Sequence, residues 1–462
     1  MRFAQCSPQP KARTHSGMTH PASETPAPAQ LTLSALALRA LRIGLLSFGG
    51  PAAQIALLHR EFVTEARAIS EERFLGALNF CMILPGPEAQ QLATYCGWLT
   101  GGLRGGLVSG LLFILPGAAL MLALSIVYVT FGDTGLVTGL FYGVKAGVLA
   151  IVVQALMRLA ARALRTTLSR TIALLAFAAL AFAQIPFPLV ILAAGLAGAV
   201  FSRTKPTVPA CDDAATSGLP ARTGLGLRGI AGGLALWAAP VVLAAILLTP
   251  ETVLVDIAAF FSTMALVSFG GAYALLNYMA QVAVEAKGWL DAGEMLDGLG
   301  LAETTPGPLI LVTQFVGFIA GYREVFAHAS ITGGMLAAML TTWTTFAPSF
   351  LFVLAGAPHV ERLQRIGWMA GALAAIAAAV VGTILDLAVW FSANVLFRDL
   401  GEATLGPFTV MVPRPESLDT AALALAVLAA LLLFGAKRGV ATVVAVSALA
   451  GLGLELAGLA TP

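Results

Sequence analysis

A helix-breaking pattern occurs twice in this chain at one constant separation. Ser47-Phe48-Gly49-Gly50 is followed 38 positions later by Pro85-Gly86-Pro87, and Ser268-Phe269-Gly270-Gly271 is followed after the same 38 positions by Pro306-Gly307-Pro308. Seven identities at an offset of 221, without a gap, indicate an internal duplication. Glycine and proline interrupt helices, because glycine costs ordering entropy and proline removes a hydrogen-bond donor. The sequence therefore predicts two repeated halves, each with two broken helices.

The sequence on both sides of these breaks is strongly apolar. Of the 462 residues, 58% are hydrophobic and only 11% are charged, whereas about 25% charged residues is typical of soluble domains. The composition therefore predicts a protein that crosses a membrane many times. Within a membrane, breaks in a helix are tolerated where they line a cavity. Breaks at matching positions of two halves are typical of a transporter's binding site.

The apolar runs predict an all-α polytopic fold with about 13 membrane elements, if each broken element crosses the bilayer once. The predicted domains are a disordered cytoplasmic tail (1–30), a first repeat (31–202), a cytoplasmic linker (203–226) and a second repeat with one extra leading helix (227–462). Basic residues collect in cytoplasmic loops. The loops with Arg162, Arg170, Arg203, Arg365 and Lys437 share one side if the N-terminus is cytoplasmic and the C-terminus periplasmic. The two repeats then have inverted topology.

Several classes of function lack their characteristic residues. The four cysteines, at 6, 81, 96 and 211, have neither disulfide nor metal-ligand spacing, so we predict no metal and no cofactor. No lysine follows a glycine, so a Walker loop is absent and transport must use ion gradients or the membrane potential. The basic residues are scattered, which argues against nucleic acid as a partner. The five histidines have no nucleophile-base spacing, so an intramembrane enzyme is an unfavoured alternative.

The residues around the breaks resemble a known family. Phe48-Gly49-Gly50-Pro51, the stretch 84–95 and the run Gly143-Val144-Lys145-Ala146-Gly147 are similar to the chromate ion transporter family. Phe269-Gly270-Gly271 and Thr305-Pro306-Gly307-Pro308 resemble the second copy in that family's two-domain members. The resemblance covers most of the chain from about residue 36 onward. It implies a carrier in the bacterial inner membrane that exports chromate, a tetrahedral dianion shaped like sulfate.

The breaks themselves are the main candidate binding site. A half-helix that starts at mid-membrane presents unpaired backbone N–H groups and the positive end of its dipole. Two inverted copies would direct such ends toward a common point, which suits an oxyanion. The predicted substrate-binding residues at the breaks are Gly49, Gly50, Pro85, Gly86, Pro87, Gly270, Gly271, Thr305, Pro306, Gly307 and Pro308. The alternative interpretation is that these glycines only permit close helix packing.

Nearby side chains extend the predicted site. Gln90, Gln91 and Gln314 follow the Pro-Gly-Pro motifs and offer neutral donors, although such residues also form hydrogen bonds between membrane helices. Lys145 lies in an apolar run, and an ionisable residue at membrane depth is functional by default. We predict that it supplies a fixed positive charge for the dianion; the alternative is a lysine that extends to the membrane interface.

Three further ionisable residues are predicted to take part in gating or in proton-linked steps. They are Arg42, Glu88 and Glu303. A carboxylate in the first turn of a helix is stabilised by the helix dipole, so Glu88 could equally cap its half-helix and face away from the substrate. The predicted partners are the substrate, which is chromate or alternatively sulfate, and the lipid bilayer. The sequence is compatible with a homodimer, and it does not distinguish uniport, exchange and proton coupling.

Overall fold

The computed structural model of the protein describes residues 31–132, 134–202, 225–247, 252–269, 272–326, 328–359, 367–405 and 408–459. The predicted tail at 1–30, nearly all of the predicted linker at 203–226, and the two glycines Gly270 and Gly271 lie outside the described residues. Most described residues are helical.

The first half contains both predicted breaks. Its helices are α1 (Leu33–Leu46), α2 (Gly50–His59), α3 (Glu71–Cys81), α4 (Glu88–Phe131), α5 (Gly135–Ala163), α6 (Thr167–Ala181) and α7 (Phe187–Ser202). A π-helical turn, Arg60–Glu65, continues α2. The long helix α4 is interrupted at Gly102, whose φ of 64° and ψ of −153° are not helical. The first break thus separates α1 from α2, and the second separates α3 from α4.

The second half repeats this order after one additional helix. Its helices are α8 (Leu227–Leu247), α9 (Val253–Val267), α10 (Ala272–Met279), α11 (Ala292–Thr304), α12 (Val312–Glu324), α13 (Ile331–Gly356), α14 (Gly367–Leu396), α15 (Thr420–Ala430) and α16 (Val440–Leu456). A π-helical turn, Ala280–Ala286, again follows the second helix of the repeat. Because α3 starts at Glu71 and α11 at Ala292, the offset of 221 also relates local structure in the two halves.

The chain is a helical membrane protein, as the composition predicts. Five described helices are long and apolar enough to cross a bilayer: Glu88–Phe131, Gly135–Ala163, Leu227–Ile246, Ile331–His359 and Trp368–Leu396. The other apolar helices have 10–17 residues, fewer than the roughly 20 that a full span needs. The count of 13 membrane elements therefore stays a prediction.

One element departs from the all-α prediction. The polar segment between α14 and α15 forms an antiparallel hairpin of strands β1 (Leu400–Leu405) and β2 (Phe408–Pro413), with Leu400 opposite Pro413. Gly401 opposite Val412 continues the same register. The prediction of helical membrane elements is unaffected, because the hairpin lies between the apolar helices α14 and α15.

Each half completes the other half's helix bundle. The last two helices of the first half, α6 and α7, pack on α14, and the last two of the second half, α15 and α16, pack on α5. Small residues allow this close approach: a Cβ on Gly143 would overlap the Ser447 carbonyl, and one on Gly382 would overlap the Ala173 carbonyl. One hydrophobic core runs through both halves and includes Phe62. The halves are therefore one folding unit.

Candidate functional site

The breaks of the two halves meet in a reciprocal pattern. The Gly86 N–H donates a hydrogen bond to the Ser268 carbonyl at 2.9 Å, and the Gly307 N–H donates to the Ser47 carbonyl at 3.0 Å. We call the contact of Pro85-Gly86-Pro87 with Ser268 the first crossover, and the contact of Pro306-Gly307-Pro308 with Ser47 the second crossover. The second break of each half therefore binds the first break of the other half.

The two central glycines have backbone conformations that other residues rarely adopt. Gly86 has a φ of 129° and Gly307 a φ of 103°. At such angles a Cβ clashes with the backbone, which is why glycine is required. The prolines that follow, Pro87 and Pro308, end the extended segments and precede new helical turns, and neither provides a side-chain cap. The Pro-Gly-Pro motif thus turns the chain sharply and starts a helix whose first N–H groups have no side-chain acceptor.

The first crossover is surrounded by polar side chains. Gln91 is buried and donates from its Nε2 to the Pro85 carbonyl at 2.7 Å. A Cβ on Gly86 would overlap both this amide and the Ser349 hydroxyl of α13. Thr345, one turn before Ser349 on the same face of α13, lines a cavity together with Gly86 and Ser268. We call these five residues, Gly86, Gln91, Ser268, Thr345 and Ser349, the first-crossover cluster.

Two polar atoms of this cluster lack partners. The Gln91 Oε1 and the Thr345 Oγ1 are buried and have no hydrogen-bond partner among the described residues. The neighbouring Gln90 donates to the Thr94 hydroxyl at 3.0 Å, but its Oε1 is likewise without a partner within the described ranges. Buried polar atoms are nearly always satisfied in folded proteins. Among the described residues, the unpaired atoms are thus two amide oxygens, which accept hydrogen bonds, and one hydroxyl, which can donate.

The cavity at the first crossover is small in this conformation. Its volume is about 20 Å³, and apolar residues such as Met264 and Ile310 complete its lining. A volume of this size holds about one water molecule. A tetrahedral oxyanion is larger than water, so it fits only if the breaks move apart. The carbonyls of Ser47 and Ser268 occupy the two amide donors that the sequence predicts for the substrate.

The second crossover has the same backbone geometry but a more apolar surrounding. Gln54 donates from its Nε2 to the Gly307 carbonyl at 2.6 Å. A Cβ on Gly307 would lie 3.0 Å from Leu311 and 3.4 Å from the Gly117 backbone. Thr313 is satisfied locally, since its hydroxyl donates to the Ile310 carbonyl at 2.8 Å.

Gln314 reaches across to the other half at this crossover. Its Nε2 donates to the Ala118 carbonyl of α4 at 3.1 Å, while its Oε1 is a buried acceptor without a partner in the described part of the chain. Thr305 is buried, and its hydroxyl donates to the Ala302 carbonyl at 3.2 Å. Gln54 and Gln314 thus donate to carbonyls of the other half, whereas Thr305 and Thr313 donate within their own turns.

The two predicted cations, Lys145 and Arg42, pair with carboxylates that were not predicted to belong to the site. The Lys145 Nζ lies 3.3 Å from the Asp297 Oδ2 of α11. Arg42 lies 3.5 Å from Glu61, whose side chain is fully buried, and 3.8 Å from Glu65. These pairs are formed within the protein, so Lys145 or Arg42 could reach a substrate only by exchanging its carboxylate partner.

The two predicted carboxylates lie in different surroundings. Glu303 is buried, and its Oε1 accepts a hydrogen bond from the Tyr273 hydroxyl at 2.7 Å. Glu88 is half-buried at the first turn of α4, and Arg162 of α5 is close enough to act on it electrostatically. Glu88 is therefore adjacent to the helix N-terminus at the first crossover, as its position in the sequence requires.

Comparison with known proteins identifies the family. The profile of the chromate transporter family matches residues 34–199 and 255–452, which include both crossovers. The chain belongs to the chromate transporter family. It is 34% identical to the chromate transport protein of Pseudomonas aeruginosa over 368 residues, covering 78% of this chain and 82% of that protein.

Two more distant relatives also match most of the chain. Identity to the chromate transport protein of Cupriavidus metallidurans is 27% over 390 residues, covering 83% of this chain and 88% of that protein. An uncharacterized transporter of Methanocaldococcus jannaschii is 23% identical over 354 residues, covering 76% of this chain and 82% of that protein. No solved structure matches the chain.

In this chromate transporter family member, the structure brings together only part of the predicted site. Pro85-Gly86-Pro87 and Gln91 assemble at the first crossover, and Thr305 through Pro308 assemble at the second. Gly49 and Gly50 adjoin Ser47 at the start of α2. Gly270 and Gly271 fall outside the described residues, so their predicted contribution has no structural description.

Sequence reasoning missed several residues of the transporter. Thr345 and Ser349 come from α13, and Gln54 comes from α2. A signal for the first two was present, because Thr341, Thr345 and Ser349 recur every four positions in an apolar helix and are all buried. Asp297 was also missed, although an acidic residue within an apolar segment is a functional signal.

Proposed function

We propose that the chain exports chromate across the bacterial inner membrane and binds it at the crossovers, chiefly at the first. The observation that carries this proposal is the first-crossover cluster, where neutral donors surround a break that starts a helix. Thr345 presents an unpaired hydroxyl there, and Gln91 holds the adjacent Pro85 carbonyl. Neutral donors and a helix N-terminus bind a dianion but still allow its release.

The proposed mechanism is alternating access between two inverted repeats. Reciprocal contacts support it: Gly86 binds Ser268 and Gly307 binds Ser47, as a two-fold relation between the halves requires. The exchange of α6–α7 and α15–α16 between the halves supports the same relation. On this proposal, the substrate displaces the Ser47 and Ser268 carbonyls from the two glycine amides, and the crossovers open in turn toward each side. Arg42, Glu88 and Glu303 act as gating or proton-linked groups.

The membrane potential makes export favourable. We place the N-terminus in the cytoplasm and the C-terminus in the periplasm. When the cytoplasm is negative by about 100 mV relative to the periplasm, expelling two negative charges gains about 4.6 kcal/mol. Export therefore needs no ATP, which agrees with the missing Walker loop.

Flux of labelled chromate into inside-out vesicles tests this function. We expect the wild-type protein to accumulate chromate when the vesicle interior is made positive, and Gly86→Leu at equal protein level to abolish accumulation. Lys145→Ala tests the proposed role of the lysine in the same assay. The absence of potential-driven accumulation in the wild type would contradict export of chromate.

Competition by sulfate distinguishes a chromate transporter from a sulfate transporter. Hydroxyl and amide donors recognise the shape and charge that tetrahedral dianions share, so a sulfate transporter is the second candidate. Unlabelled sulfate is added in increasing excess to the same vesicles. We expect chromate to compete more strongly than sulfate; stronger competition by sulfate would make sulfate the substrate.

A further inference from the structure

A buried ion pair lies between the two halves of the protein. The side chain of Asp297 on α11 is 6% exposed and lies 3.3 Å from the Lys145 Nζ on α5, whose side chain is 28% exposed. The Tyr128 hydroxyl of α4 donates to the same carboxylate oxygen, Oδ2, at 2.9 Å. Both partners of Asp297 thus come from the first half, and both bind one oxygen.

The other oxygen of this carboxylate has no partner. The Asp297 Oδ1 is buried and without a hydrogen-bond partner among the residues that the structure describes. An ionised carboxylate has about four acceptor positions, and a buried charge is costly unless it is fully hydrogen-bonded. A proton on Oδ1 would remove the buried negative charge, which is the larger part of this cost.

The fold itself does not require an acid at this position. The offset of 221 relates Asp297 to Gly76 in α3, so the matching helix of the first half has no side chain there. The acid is therefore specific to α11. Within membrane proteins, buried carboxylates that are not needed for packing are typical of proton pathways.

Other charged groups near α11 have contacts of their own. On α11 itself, Glu294 pairs with Arg323 of α12 at 2.6 Å, and Asp291 caps the helix through the Glu294 N–H. Glu303, also on α11, accepts a hydrogen bond from Tyr273. Charged groups on neighbouring elements include Asp386 of α14, bonded to Asn277; Lys287, bonded to Asp256; Glu285, close to Asp386; Glu455 of α16, packed against Gly139; and Arg158 of α5, which is exposed. Lys145 is thus the cation in direct contact with Asp297.

We propose that Asp297 binds one proton in each transport cycle and that this proton moves together with the dianion. The inference rests on the proposed chromate transport. When Asp297 takes up a proton, the pair changes from Asp⁻ and Lys⁺ to a neutral acid and a free Lys145 ammonium, so the local charge rises by one. Because a more positive interior favours a dianion, proton and chromate bind cooperatively. Release on the other side returns the proton to water and restores the ion pair, so each cycle carries one net negative charge rather than the two of chromate alone.

A pH gradient at zero membrane potential tests the coupling. Proteoliposomes are clamped at zero potential with potassium and valinomycin, and labelled chromate is supplied from a side that is one pH unit more acidic. For one proton per chromate, we expect an accumulation ratio of about tenfold. Asp297→Asn should lower this ratio to about one while chromate exchange continues. The matched control, Asp256→Asn, removes an acid from an exposed pair with Lys287 and should keep the full ratio.

The outcomes separate this inference from the proposed function. If chromate enters under a membrane potential but its entry does not respond to the pH gradient, the proton coupling is overturned and the transport function stands. The same holds if the Asp297→Asn variant keeps the tenfold ratio. No entry under either gradient overturns both. If Asp297→Asn does not fold, proton uptake by purified wild-type protein on chromate addition decides: about one proton per bound chromate supports the proposal, and no uptake overturns it.

Discussion

The two crossovers share a backbone and differ in chemistry. Gly86 and Gly307 both have positive φ angles, and both donate to the carbonyl of a serine in the other half. Helices α4 and α13 each contain one proline, Pro116 and Pro348, and matching these prolines aligns the two helices at an offset of 232 (348 − 116), which is 11 more than the offset of the breaks. In this alignment Ser349 at the first crossover corresponds to Gly117 at the second. Duplication has thus preserved the geometry of the breaks, while the contacting side chains have diverged.

The side chains that differ between the two crossovers are a threonine and a glutamine. Thr345 at the first crossover corresponds to Phe113 in α4, so a hydroxyl faces one break where the other helix carries a ring. Conversely, the Gln54 side chain donates a hydrogen bond to the Gly307 carbonyl at the second crossover. The matching residue 221 positions later is Leu275, whose side chain has no hydrogen-bond donor. On the proposed function, the first crossover is therefore the main anion site, and the second chiefly maintains a structural contact.

The largest effect should come from adding a methyl group to each central glycine. In Gly86→Ala, the left-handed conformation costs about 1–3 kcal/mol, and the Cβ overlaps Gln91 and Ser349. We expect chromate flux in vesicles to fall by more than about tenfold. Gly307→Ala has the same backbone strain, but its Cβ meets the flexible end of Leu311, so the loss should be smaller. Equal losses would refute the difference between the crossovers.

A smaller effect is expected from removing one hydroxyl at the first crossover. Thr345→Val keeps the shape of the side chain and removes a hydrogen bond to a charged substrate, which is worth about 1.5–3 kcal/mol. The KM for chromate should therefore rise by about tenfold or more. Thr313→Val is the matched control at the second crossover, because its hydroxyl already donates to the Ile310 carbonyl. A KM that rises equally in both variants would contradict binding at the first crossover.

The smallest effect on transport should come from Gln54→Leu, which gives the second crossover the residue found at the matching position, Leu275. The Gly307 carbonyl loses a buried donor at 2.6 Å, which costs about 1–2 kcal/mol of stability. We expect a lower thermal midpoint in detergent and a KM that is unchanged. A raised KM with an unchanged midpoint would instead place substrate at the second crossover.

The sequence predicted the breaks because glycine and proline act locally. Gly86 and Gly307 need no tertiary contact to interrupt a helix, so their repeated spacing was sufficient. The partner of each break was not predictable, because an offset between repeats relates equivalent residues and contains no information about which residues touch. The pairing of Gly86 with Ser268 spans 182 positions and depends on the packing of whole helices.

The polar side chains of α13 illustrate a second limit. Thr344 donates to the Leu340 carbonyl within its own helix, whereas Thr345 has an unpaired hydroxyl at the first crossover. Both are threonines in one apolar run, so their neighbours in sequence cannot distinguish them. The same holds for Lys145, whose predicted role toward the substrate depends on Asp297, a residue 152 positions away.

The exchange of terminal helices has a consequence for biosynthesis. Since α6 and α7 pack on α14, and α15 and α16 pack on α5, a half that is made alone leaves α5 or α14 without the helices that cover it. A gene cut between residues 202 and 225 would encode two fragments, each with a bare apolar helix surface. Such fragments would reach their native state only as a pair, so co-expression would restore what separate expression loses.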